Sequence, residues 1–187
     1  GRGGVPGDDP TLRAQRHLLA ARWLAGRDGS SDDEIAGHWE LGGDADRAAS
    51  AYARAAEGAA RVGDAATADA RAARVLALTA DARLRWRALV ARDDVLQLAG
   101  DPARQRESVA ALADLAASLD DEARAEAAWR RCYVARVTAD PEAALALGRE
   151  AVARAASLGA PRWGALAHAE LALLRANRGE AEAALTH

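Results

Sequence analysis

Phenylalanine, methionine and lysine are absent from this chain of 187 residues, which has one cysteine and few aromatic side chains, five Trp and two Tyr. Each shortage excludes something. A single thiol, Cys132, forms no internal disulfide, so a reducing, cytoplasmic compartment is expected. Without lysine there is no P-loop, whose lysine must reach the phosphates of a bound nucleotide. No stretch approaches the ~20 consecutive apolar residues of a membrane span. No charged-then-apolar segment resembles a signal peptide. The net charge of −3 supplies no basic field to draw the whole chain to nucleic acid or anionic lipid.

Alanine fills the space these absences leave. It accounts for 54 residues, and all 25 cationic side chains are arginine. The Ala–Arg bias is what a GC-rich bacterial genome produces, so it says more about source than about function. Alanine has the best intrinsic helix propensity. With few bulky side chains to span wide gaps, the helices must approach closely. Stacked helical hairpins suit such a core.

The punctuation along the chain is regular. Gly43-Asp44, Gly63-Asp64, Gly100-Asp101 and Gly179-Glu180 each place a glycine where one helix can close in a left-handed turn and an acid where the next can start. Ala139-Asp140 fits the same slot. Asp101-Pro102 and Asp140-Pro141 add proline at the first helical position, as at Asp9-Pro10. Residues 1–10, rich in Gly and Pro, read as a linker or remnant. The spacing predicts helices near 10–26, 32–42, 45–62, 65–78, 81–99, 102–118, 121–138, 141–157 and 161–177, with another beginning at 180. The missing initiator Met and that unfinished helix suggest a piece of a larger protein. From Gly63 onward the junctions fall 37, 39 and 40 residues apart with two helices in each interval, a repeat architecture. The expected fold is therefore all-α, an α–α superhelix of antiparallel hairpins over residues 11–187.

One interval carries a finer motif. Ile35, Ala36 and Trp39, then Gly43, then Ala48, Tyr52 and Ala55, place large and small residues so that alanines admit close helices while Trp39 and Tyr52 fill the remaining space. This resembles the tetratricopeptide repeat. The order of segments around His17–Leu24, Glu34–Trp39 and the Gly-Asp junctions also looks like the carboxyl side of large bacterial signalling ATPases, among them LuxR-type transcriptional regulators. The resemblance implies a protein- or peptide-binding arm, or one that docks on the parent's ATPase module.

No two of His17, His38, His168 and His187 stand at i, i+4, and Cys132 has no neighbouring ligand in sequence, so no metal or other cofactor is expected. No Gly-x-Ser-x-Gly elbow occurs. Asp32-Asp33 and Asp120-Asp121 suit helix starts better than acid–base catalysis. Arg83-Leu84-Arg85-Trp86-Arg87 has the look of a nucleic-acid contact, but Arg85 points away from Arg83 and Arg87, and a solvated face is the better reading. Hence no catalytic residue and no direct nucleic-acid contact are assigned.

In the repeat phase, Glu126, Trp129, Tyr133 and Arg136 run along one side of helix 121–138. In tetratricopeptide arrays that side lines the concave groove, which implies an aromatic anchor with an arginine clamp for a carboxylate-bearing peptide. Arg87, Asp94 and Gln97 are the equivalent positions one unit earlier. Aromatics at helical spacing also simply pack between hairpins, and that reading stands beside the first. A structural spacer or self-associating element, with no ligand of its own, is the rival function.

Overall fold

Alanine-rich segments bounded by acidic caps form helices wherever the punctuation placed them. The computed structural model describes residues 9–138 and 140–179, and among these are nine α-helices and no strand. They are α1 (Pro10–Ala25), α2 (Asp32–Leu41), α3 (Ala45–Arg61), α4 (Ala65–Leu78), α5 (Ala82–Ala99), α6 (Pro102–Ala116), α7 (Asp121–Val137), α8 (Pro141–Ser157) and α9 (Pro161–Asn177). The helix expected from 180, residue 139 of the Ala139-Asp140 junction and most of the expected linker lie outside the described residues. Of that linker, Asp9 and Pro10 belong to α1: the Asp9 carboxylate accepts from Thr11 N at 2.9 Å and Pro10 opens the helix.

The caps work as their chemistry requires. Asp44, Asp64, Asp101, Asp120 and Asp140 each use Oδ1 to accept the backbone N–H three residues on, at 2.9–3.1 Å. Each cap satisfies one donor that the helix itself leaves without a partner, an effect of about 1 kcal/mol. Gly43 shows why glycine precedes such a cap. Its φ of 82° lets Asp44 N reach back to Trp39 O at 2.9 Å, and other residues rarely adopt that conformation.

The chain divides into two compact units, one ending at Val95 and the other beginning at Leu96. In the first, α1 packs on α2, α2 on α3 and α3 on α4. Their core is built from Ile35, Trp39, Tyr52 and Val75, set among fully buried Ala21, Ala36, Ala48, Ala53, Ala72 and Ala88. The repeat motif is the centre of this packing, with one adjustment: Ala55 is half-buried, and the next residue, Ala56, is fully enclosed. Tyr52 keeps a polar handle, donating its hydroxyl to Glu40 Oε2 at 2.9 Å. Burial pushes that phenol above its usual range, the Asp33 carboxylate adding to the effect and Arg71 opposing it.

In the second unit α6 packs on α7, α7 on α8, and α9 on both α7 and α8. Close approach here depends on one missing side chain. A Cβ on Gly148 of α8 would lie 2.6 Å from Leu171 Cδ2 of α9 and 3.1 Å from Cys132 Sγ of α7. Three helices therefore meet at a point where only hydrogen fits.

Candidate functional site

Helix α7 starts from the Asp120 cap with Asp121 and Glu122 in its first turn, the end where negative charge is favoured. The four residues singled out on it do not share one environment. Glu126 is buried, and its Oε1 accepts from Arg130 Nε at 2.9 Å and Arg130 Nη2 at 2.7 Å. Trp129, Tyr133 and Arg136 are half-buried. The Trp129 ring lies 5.5 Å from that of Trp163 and 6.3 Å from that of Tyr133, both tilted. Each such aromatic pair contributes about 0.5–1.5 kcal/mol beyond the area it buries.

Arginine completes the ladder at both ends. The Arg130 guanidinium sits 5.5 Å from the Trp129 ring centre, and that of Arg136 sits 5.1 Å from the Tyr133 ring centre. Arg136 donates its Nε to Glu170 of α9. Its two Nη groups make no hydrogen bond among the described residues, so donors remain on that side of the fork. The sequence reading missed Trp163, Glu170 and Arg130. Arg130 was legible as the i+4 partner of Glu126. Trp163 and Glu170 each stand 34 residues beyond the α7 side chain they meet, and only the packing of α9 on α7 brings them in.

On α5, Asp81 caps the helix by accepting from Leu84 N at 2.8 Å. Arg87 reaches back to α3, donating Nε and Nη2 to the two oxygens of Glu57 at 2.6 and 2.8 Å. This fork strengthens the hold of the guanidinium on its proton, opposed in part by burial. Arg87 and Asp94 line one cleft of about 340 Å³, with Glu57, Arg61, Trp86 and Val90 around them. Gln97, half-buried in the last turn of α5, is not among its lining residues. Trp86, read with its arginines as part of a solvated face, is instead 6 % exposed and belongs to the packing. Asp93, on the same helix, is fully buried.

The groups most able to do chemistry are held by structure. Cys132 is fully buried and points its thiol at Ala144 O at 3.5 Å. Burial first, then the Glu170 carboxylate, pushes that thiol up to about 12, with Arg136 opposing. A thiol so raised is neither a nucleophile nor a ready metal ligand at neutral pH. His17 and His38 meet Nδ1 to Nδ1 at 2.8 Å between α1 and α2. Among the described residues no three His, Cys, Asp or Glu side chains are grouped to hold a metal ion. None of the described helices is long and apolar enough to cross a membrane.

The geometry thus offers a largely buried aromatic–arginine ladder on α7, with Trp129 packed against α8 and α9, and a cleft beside α5 lined by both apolar and charged side chains. Both are suited to contact and neither assembles a nucleophile with a base. No protein-family model matches the chain, and no curated protein matches it either.

Proposed function

We propose that this chain is a non-catalytic, tetratricopeptide-like binding module of a larger bacterial regulator, acting in the cytoplasm. In this reading the Trp129–Tyr133–Arg136 face of α7 receives a peptide or protein segment that bears a carboxylate. The observation that carries it is the bracing of the ladder. Trp163 fixes Trp129, and Glu170 fixes Arg136 through one edge of its fork while leaving the Nη donors available. A surface whose rotamers are already set loses little entropy on binding, which is what an anchor and clamp need. Glu126 then acts from behind the surface by holding Arg130 beneath Trp129. Arg87 and Asp94 would form a separate contact in the cleft beside α5.

The test begins with peptides selected from a random library on the purified chain, then titrated by calorimetry into wild type, Trp129→Ala and Arg136→Gln. Loss of about tenfold or more in affinity for each variant is expected, the scale of a modest hot spot. Equal affinity in both variants sinks the assignment.

A second reading, a spacer or self-associating element, is favoured by one feature. Leu12, Leu19 and Trp23 fall on one side of α1 and are 37 %, 64 % and 60 % exposed. Light scattering over a concentration range separates the two. A dimer abolished by Trp23→Ser, in a chain that selects no peptide, supports the second.

A further inference from the structure

Helix α7 has a second face, diametrically opposite the ladder. Arg124, Ala127, Arg131, Val134 and Thr138 follow one another there at helical spacing. They form the floor of a trough whose walls are α6 on one side and α8 on the other. Two adjoining hollows, of about 260 and 470 Å³, make up the trough, and Arg131 lines both. From Arg124 to Thr138 the floor runs about 21 Å, close to four turns of helix. The α6 wall presents Ala110, Ala113 and Ala117, side chains too short to fill the space beside them.

The charge of this trough is opposite to that of the chain. Four guanidiniums (Arg106, Arg124, Arg131 and Arg154) line it against two carboxylates, Glu150 and Asp140. Internal pairing does not cancel the excess. Arg124 is held by Asp121 at 2.6 Å, and Asp140 is engaged as the α8 cap. Glu150 is shared, 2.9 Å from Arg154 and 4.0 Å from Arg131. Arg106 is exposed and has no ion pair among the described residues. With Asp121 counted, one positive charge therefore remains uncompensated beside the Ala127 and Val134 side chains of the floor, in a protein of net charge −3.

We infer that this trough is a docking site for an acidic amphipathic α-helix of a partner protein. Small side chains on one face of that helix would enter between α6 and α8. Carboxylates two turns apart would meet Arg131 and Arg124, which are themselves two turns apart. Helix-in-groove recognition uses this combination of small apolar side chains, here Ala110, Ala113, Ala127 and Val134, with charged ones among them. A nucleic-acid backbone fits less well, because two carboxylates stand within the trough. The site lies behind the ladder and is independent of it.

The probe is a fluorescein-labelled, acetylated peptide of about 16 residues, with alanine on one face and glutamates two turns apart, long enough to span the trough. Anisotropy titration into the full chain should show saturable binding that weakens as salt is raised. Arg131→Glu and Arg106→Glu should each weaken it by about tenfold. Ala110→Trp, which fills the trough without altering charge, should weaken it as well. Arg149→Glu, on the far side of α8, makes the same charge change and should have little effect. Circular dichroism and melting of each variant confirm that the fold is retained. The inference is overturned by any of four results: no binding at millimolar peptide, equal binding of a peptide with lysine for glutamate, equal weakening by Arg149→Glu, or tighter binding of an RNA duplex.

Discussion

Substituting Gly148 by alanine should destabilise the second unit, although the change favours helix. In the middle of α8, Gly→Ala alone stabilises by about 1 kcal/mol, through backbone entropy and solvation. Against this stands the space the methyl would occupy, 2.6 and 2.9 Å from Leu171 Cδ2 and Cγ and 3.1 Å from Cys132 Sγ. Carbon atoms rest about 3.5–4.0 Å apart, so the deficit is near 1 Å at Leu171. Leu171 is 1 % exposed and Cys132 fully buried, so neither swings into solvent to make room. Overpacking of this kind costs about 1–3 kcal/mol, and with both neighbours enclosed the upper part of that range applies. The net expectation is a loss of about 1 kcal/mol.

Gly37→Ala is the internal comparison. Gly37 also lies within a helix, α2, but nothing approaches within 4 Å of its added Cβ, so only the propensity gain of about 0.5–1 kcal/mol remains. Urea denaturation followed by circular dichroism should move the two midpoints in opposite directions without changing the slope. Shortening the obstructing side chain, as Leu171→Val, should cost less in the Gly148→Ala background than alone. If Gly148→Ala stabilises as much as Gly37→Ala, the close contact of α7, α8 and α9 at this point is refuted.

Further expectations follow from the same packing. Cys132 should resist Ellman's reagent in the folded chain and react once urea unfolds it. The folded state keeps the thiol proton up to about pH 12, whereas an exposed thiol loses it near pH 8.5. The sign is set by that raised value: the stabilisation is complete below about pH 8.5 and is lost as pH rises towards 12, at up to about 1.4 kcal/mol per pH unit. Cys132→Ala should flatten the alkaline slope of stability, and an unchanged slope would mean the thiol is not enclosed. Glu126→Leu should cost about 3 kcal/mol by leaving the buried Arg130 guanidinium without this carboxylate. A midpoint unchanged in urea would contradict the burial of that pair. Glu57→Gln should cost little, about 1 kcal/mol or less, because the fork to Arg87 is about a third exposed. A double-mutant cycle with Arg87→Gln reads the coupling directly.

The helices were legible because their ends are written locally. Each Gly–Asp junction specifies both a left-handed turn and the carboxylate that caps the next helix, and the nine expected segments match the observed ones to within two residues. The junction at Gly159-Ala160-Pro161 follows the same backbone path, with Ala160 N bonded to Ala155 O at 2.9 Å, yet lacks the acid that made the others conspicuous. The face of α7 was legible only in part. Helical spacing placed Trp129, Tyr133 and Arg136 on one side, but it does not say how far a helix is rotated into its neighbours. That rotation buries Glu126, and the contacts that brace Trp129 and Arg136 come from α9. Trp86 misled for a related reason: a tryptophan flanked by arginines reads as a surface feature, but its ring is buried, Arg85 and Arg87 are half-buried, and only Arg83 of the three arginines is exposed.

Hydrogen exchange of the full chain, with and without a peptide selected on it, tests the central proposal most directly. Protection confined to α7 between Glu126 and Arg136 and to the facing turns of α9, lost in Trp129→Ala, is the predicted result. Protection confined to α1 around Leu19 and Trp23, or none anywhere at saturating peptide, contradicts a binding ladder on α7.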